Sequence, residues 1–445
     1  MQPITHEFTD RMVSPWGGIK YFHSVYRSSG LRDFLSSLPL PEPGSNRGYK
    51  AIDLIEGFLA SVVLGSRRLE HCGMLRTDAV IQEIFGWKKG MASASTFSRF
   101  FQRFDSETND KLFPAIMKFI FSKVTSKYLT IDIDSTVITR YGKQEGSAVG
   151  YNPHNYGAYS HHPILAFCDE LKMVINGWMR AGNTDSKTGI LPFLEELFTI
   201  IEPSRVGLIR ADVGFYSQNI MHYLEDLPKP VKYLIKARCT ASMISKIASQ
   251  EEWLRNDDVI EGSIYAESTY QGQKWTKERR LILVGVPKKF ESKKSKRRSE
   301  LFKEYEVLNQ YEFYGFVTNS DLSMVEAHRR YNQRGDAENR IKELKYDYAM
   351  DGFAMNKLKS TEAAFRLVFV AFNIMTIFKQ MAMKTTVNHR LSTIRFQCIA
   401  IGSYLVESGR KKILKLAAAG KRRHFLEHLF ENVEKIRPPY RFSNA

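Results

Sequence analysis

Asp134 and Asp212 stand at the ends of two short apolar runs, Leu129-Thr-Ile-Asp-Ile133 and Val206-Gly-Leu-Ile-Arg-Ala211. A carboxylate at a strand end usually caps a turn. Two of them on neighbouring strand ends can share a hard cation, because Mg²⁺ prefers oxygen ligands in octahedral geometry. A third group lies far downstream, in Tyr331-Asn-Gln-Arg-Gly-Asp-Ala-Glu-Asn-Arg-Ile-Lys-Glu-Leu-Lys345. At about 100° and 1.5 Å per residue, a helix there gathers Tyr331, Arg334, Glu338, Lys342 and Lys345 into one stripe roughly 21 Å long. Ala337, Ile341 and Leu344 form an apolar seam beside it. A charged stripe is ordinarily a solvated face. This one borders the seam, with a carboxylate midway between cationic ends, which suits a metal ligand flanked by phosphate-binding groups.

For these groups to meet, strands must present the aspartates. Leu129, Ile131 and Ile133 alternate with Thr130, Asp132 and Asp134, a period of two that puts Asp132 and Asp134 on one face. Either could be the first carboxylate. Apolar runs at 164–167 and 173–178 predict a hairpin turned at Asp169-Glu170. Helices are expected at 190–198 and 218–224, and strands at 206–211, 231–236 and 311–318. A long helix should start after Ser323, a plausible N-cap. The core order is three strands, helix, strand, helix, strand, with a long insertion before the last helix. The fold class expected is α/β, with helical regions before and after it.

The first 125 or so residues read as helical, at 51–64, 69–75 and 78–85. A further helix, capped within Ser95-Thr-Phe-Ser98, carries Arg99, Phe100, Phe101, Arg103 and Phe104. Short helices with exposed arginines make a helix-turn-helix reader or a plain bundle. The expected organisation is a helical N-terminal DNA-binding domain at 1–125, a catalytic core at 126–237 and 311–385, an insertion at 238–310, and a basic helical region at 386–445.

Of 445 residues, 65 are Lys or Arg and 48 Asp or Glu, a formal charge of +17 and a pI near 9.5. Two stretches, 288–298 and 405–425, each carry seven basic residues and one acid, so they supply twelve of those seventeen charges. Such clustering suits phosphate contact, through Lys293, Lys294, Arg297 and Arg298 in the first cluster. The most apolar stretch, 365–378, is broken by Arg366 and Asn373 and too short for the roughly 20 residues of a spanning helix. Neither a signal peptide nor a Cys-x-x-Cys pair is legible, which points to a reducing cytosol. His161-His162 lacks ligand-spaced partners and reads as structural. Trp275, among basic residues, offers a ring for an unpaired or flipped base, although core packing is the commoner role.

Taken together, these residues resemble the DDE transposases of bacterial insertion sequences. Tyr331, Arg334, Glu338 and Lys345 match their Y-(2)-R-(3)-E-(6)-K signature, Asp134-Ser-Thr136 is similar to the first-aspartate motif, and Arg210-Ala-Asp-Val-Gly-Phe215 to the second. Gln144-Glu-Gly146, Gly150-Tyr-Asn-Pro153, Ala166-Phe-Cys-Asp-Glu-Leu171, Gly182-Asn-Thr184 and Arg334-Gly-Asp-Ala-Glu-Asn339 resemble the subgroup called transposase DDE domain group 1. The resemblance covers about residues 50–380. It implies an RNase H-like core interrupted by an insertion, and a catalytic, metal-binding triad of Asp134, Asp212 and Glu338. It also implies two Mg²⁺ ions, for which Mn²⁺ substitutes, and contacts from Tyr331, Arg334 and Lys345 to element-end phosphates. Partners would be double-stranded DNA, as terminal inverted repeats and target, and a second copy of the chain in a synaptic dimer. The expected location is the bacterial cytoplasm, at the nucleoid. Competing readings are an RNase H-like nuclease without strand transfer and a non-catalytic, transposase-derived DNA-binding protein.

Overall fold

A computed structural model of the chain describes residues 4–44, 47–273, 275–288, 310–384, 387 and 389–442. After β1 (Val13–Ser14) come seven helices: α1 (Ile19–Ser28), α2 (Leu31–Ser37), α3 (Ala51–Leu64), α4 (Leu69–Met74), α5 (Ala79–Phe85), α6 (Ala94–Phe101) and α7 (Ser106–Ser122). Apolar nearly all round, α3 is buried nearly all round. The cap of α6 is Ser93, which accepts from the Thr96 amide, so the helix starts before the expected Ser95–Ser98 stretch. It also stops at Phe101, leaving Arg103 and Phe104 beyond its end.

Next come β2 (Leu129–Ser135) and a small three-stranded sheet of β3 (Ile138–Thr139), β4 (Ala148–Val149) and β5 (Tyr159–His161). The chain continues through β6 (Ile164–Cys168), β7 (Met173–Trp178), α8 (Ile190–Ile200), β8 (Val206–Ala211), α9 (Gln218–Glu225) and β9 (Tyr233–Lys236). It then adds α10 (Ala241–Ala248), β10 (Leu254–Arg255), β11 (Ile264–Tyr270), β12 (Arg279–Pro287) and β13 (Tyr311–Thr318). Among the described residues the central sheet has nine strands in the order β10-β11-β12-β13-β9-β8-β2-β6-β7. Only β2–β8 and β8–β9 are parallel; every other neighbouring pair is antiparallel. The strands expected to lie in an insertion therefore extend the main sheet.

The single helix expected after Ser323 is two: α11 (Met324–Asn332) and α12 (Gly335–Tyr346). Ser323 does cap the first, accepting from the Glu326 amide. At the junction the amides of Arg334 and Ala337 reach back three residues, to Tyr331 and Arg334, instead of four. Gly335, a weak helix former, sits at that break.

The chain then runs through α13 (Leu358–Phe378), α14 (Leu391–Ile394), β14 (Ser403–Ser408), β15 (Lys411–Leu416) and α15 (Gly420–Lys435). Residues 386–445, expected to be helical, thus carry a hairpin whose first strand pairs with β1. Its tip, Gly409, has a φ of 58°, which glycine adopts without strain.

With its continuation to Met383, α13 is long and apolar enough to cross a membrane, yet its apolar window is wholly buried inside the fold. The two residues that break its apolar run explain its place. Asn373 bonds both the N–H and the C=O of Val174, at 2.9 and 2.8 Å. Arg366 reaches Asn176 at 2.9 Å and pairs with Glu196. β7 is the last strand of the sheet, so α13 supplies the backbone partners that a free edge lacks.

Candidate active site

Because β2 and β8 are adjacent and parallel, their C-terminal ends lie together, with Ile133 beside Ala211. Asp134 and Asp212 follow those two positions at one end of the sheet. Asp134 is 7% exposed; its Oδ1 accepts from the Ser135 amide at 2.8 Å, and its Oδ2 lies 2.9 Å from Nη2 of Arg334. Half-buried Asp212 accepts from the Gly214 amide at 2.9 Å and caps a single 3₁₀ turn. Glu338 stands exposed near the start of α12.

These side chains sense one another. Burial lifts the Asp134 carboxyl to a pKa of about 6; Arg334 opposes that shift, while the charges of Asp212 and Glu338 push the same way. Burial also pushes the Tyr331 hydroxyl up to about 12, eased by Arg334 and reinforced by the same three carboxylates. Tyr331 packs on Phe316 at 4.5 Å, which anchors the end of α11 to the sheet. Arg334 is buried, and although its charge sits beside Asp134, its Nε and Nη2 have no aligned hydrogen-bond acceptor among the described residues. Among the described residues no three His, Cys, Asp or Glu side chains converge closely enough to hold a metal. The donor set itself, three carboxylates and no sulfur or nitrogen, suits a hard divalent cation.

The remaining expected residues fall in different places. Lys345 donates from Nζ to Thr136 Oγ1 at 2.7 Å and to the Val137 carbonyl at 2.9 Å. It lines a cleft with Ser135, His162, Ser186 and Asp212, and burial lowers its pKa. Lys342 is exposed and does not line that cleft. The Trp275 ring is half-buried between Tyr216 and Tyr270, at 5.4 and 5.5 Å, with Arg279 5.0 Å from its centre. Lys293, Lys294, Arg297 and Arg298 lie outside the described residues. Both histidines of the His161-His162 pair are engaged: His161 with Arg140 and the Glu145 carbonyl, His162 with the Thr184 carbonyl and the Ser135 hydroxyl.

Sequence reasoning missed the network that holds this end of the sheet to its helices. Arg210, fully buried, forks onto Asp132 at 2.6 and 2.8 Å and reaches Asp169 at 2.9 Å and the Arg330 carbonyl of α11. Asp169 takes a further bond from Arg340 of α12 at 3.1 Å and one from Lys172 at 2.7 Å. Burial pushes the Asp169 carboxyl up, but these cations outweigh it and hold it near 2. Asp132 is thus committed to Arg210, whereas Asp134 faces the other carboxylates. The available signal was an arginine inside an apolar strand, which cannot be buried without a partner. A second support is His328, buried on α11 and bonded by Tyr265 at 2.8 Å and Tyr314 at 2.7 Å. It ties the Tyr331-bearing helix to β11 and β13.

Residues 1–438 match the family described as Transposase DDE domain group 1. No curated protein matches the chain. Among solved structures, it is similar to a piggyBac transposase synaptic complex with hairpin DNA, determined by cryo-EM. That match has 14% identity and a TM-score of 0.44, over 87% of this chain and 81% of the other.

Proposed function

The chain belongs to the transposase DDE domain group 1 family, and we propose that it cuts duplex DNA at insertion-sequence ends and joins the freed 3′-hydroxyl to target DNA. The observation that carries this reading is the placement of Asp134 and Asp212 at the ends of two adjacent parallel strands, with Asp134 paired to Arg334 and feeling the charges of Asp212 and Glu338. Asp134, Asp212 and Glu338 would hold two Mg²⁺ ions, with Mn²⁺ as substitute, whose charge activates the attacking water or hydroxyl and stabilises the leaving oxygen.

The chain's own groups handle the phosphate. Arg334, with buried donors lacking acceptors, would bind a non-bridging oxygen at the scissile position and leave Asp134 free to ligate. Tyr331 stays neutral near pH 7, because its pKa is about 12; it would donate a hydrogen bond to a neighbouring phosphate. Lys345 would exchange Thr136 for a phosphate on the other side of the cleft. Cleavage and joining can share one site because each is a displacement at phosphorus.

The order β7-β6-β2-β8-β9, with a helix before and after β8, supports the RNase H-like core that the family resemblance implies. On this reading β10 to β12 are its insertion, and α1 to α7 with the basic C-terminal hairpin are candidates for gripping the ends. Two copies would pair two element ends, in the bacterial cytoplasm. Glu338→Gln tests the reading directly: end-bearing duplex should bind as before, with cutting reduced to background. Cutting at the parent's rate would overturn the triad.

A further inference from the structure

Four tyrosines stand out of the surface between residues 141 and 159. Tyr141, Tyr151, Tyr156 and Tyr159 are 99%, 71%, 90% and 42% exposed. Among the described residues none of their rings stacks on another ring, and none of their hydroxyls is hydrogen-bonded. Single exposed rings are ordinary, but four in one short segment beside a cleft mark a contact surface.

The support beneath them is rigid. Val149 and Tyr159 face each other across β4 and β5. Buried Asn152 accepts from the amides of His154 and Asn155, at 3.3 and 3.0 Å, and donates to Thr139 at 3.2 Å. A Cβ on Gly150 would meet the Gly182 carbonyl at 2.1 Å, and one on Gly182 would meet that of Ser160 at 2.0 Å. The strings Gly150-Tyr-Asn-Pro153 and Gly182-Asn-Thr184, for which the phosphodiester chemistry has no use, therefore pack this small sheet backbone to backbone.

Tyr151, Pro153 and His154 line the same cleft as Asp212 and Lys345. The only acid between 141 and 159 is Glu145, and it accepts from the Leu358 amide at 2.8 Å. A polyanionic strand leaving the cleft thus meets aromatic faces with little opposing charge.

We propose that this tyrosine face is a stacking platform for unpaired nucleobases of the DNA strand that enters the cleft. Every base has a π-face, so such a platform tolerates any sequence, while a duplex keeps its faces hidden in its own stack. The proposal rests on the reading that the cleft takes DNA.

Fluorescence anisotropy on the full chain tests it, with labelled oligodeoxythymidylate of about 16 nucleotides and a duplex of equal length. Tyr151→Ala and Tyr156→Ala should each weaken single-strand binding about 5- to 100-fold. Tyr151→Phe should keep parental affinity, and duplex binding should not move. Equal losses on both probes, a loss shared by the Phe variant, or no loss at all would each overturn the platform. Unchanged strand binding with loss of a dimer in sedimentation would overturn it too, and give the face to a second copy of the chain. A parent protein that binds neither probe would sink the DNA-cutting reading along with the platform. A parent that binds both, with alanine variants that do the same, would sink the platform alone.

Discussion

Two acidic clusters lie within a few residues of each other at one end of the central sheet, and their charge balance separates them. In the first, Asp132, Asp169 and Asp336 are met by Arg210, Arg340 and Lys172, so three negative charges face three positive ones. In the second, Asp134 feels the charges of Asp212 and Glu338 and pairs with Arg334, so these four side chains carry a formal excess of two negative charges. The neutral cluster is finished as it stands and locks α11 and α12 over the strands. The other is left with uncompensated negative charge, which a hard divalent cation would offset. Residue type does not distinguish Asp132 from Asp134; what each carboxylate faces does.

The neutral network can be broken from its centre. Arg210→Met should cost about 3–5 kcal/mol in urea unfolding, since it strands a buried carboxylate. The loss should shrink as pH falls, because burial already raises the Asp132 carboxyl and protonation relieves the stranded charge. A cost under about 1 kcal/mol would mean that the network does not hold the helices.

The unbalanced cluster should show itself in pH dependence without metal. Asp134 titrates near 6 in the folded chain against an ordinary 3.8. A raised carboxylate pKa means that the contribution of this group to stability is fullest below about pH 4 and falls as pH climbs through 6, by up to about 3 kcal/mol. In EDTA, Asp134→Asn should flatten that slope, and a slope identical to the parent's would remove the unbalanced charge from the explanation. Smaller is the effect at His328: its replacement by Leu leaves Tyr265 and Tyr314 without their shared partner and should cost about 1–3 kcal/mol. Smallest is the gain from metal. Mg²⁺ at tenfold its dissociation constant should add about 1.4 kcal/mol to the parent at pH 7.5 and nothing to Asp212→Asn, as read by thermal melting.

Legibility followed the range of the forces involved. Strand alternation at 129–133, the hairpin around Asp169-Glu170 and the Ser323 cap are local patterns, and each stands where the sequence puts it. The spacing of Tyr331, Arg334, Glu338 and Lys345 was readable too, but the unbroken helix it suggested was not what forms, because the turn through Gln333 and Arg334 tightens at Gly335. What stayed hidden depends on distant partners. No local pattern says that Arg210 crosses to Asp132 and Asp169, that Asn373 finishes an edge strand, or that strands after residue 250 lengthen the central sheet. The hairpin at 403–416 was missed because its second strand, Lys411-Lys-Ile-Leu-Lys-Leu416, has no clean alternation and was read for charge alone.

The most direct test of the charge imbalance is a calorimetric titration of the metal-free chain with Mn²⁺. The parent and Asp336→Asn, an exposed member of the balanced network, should bind the ion alike, and Asp212→Asn should lose most of that heat. Equal binding by Asp212→Asn, or no binding by the parent, would contradict the assignment of the excess charge to a divalent cation.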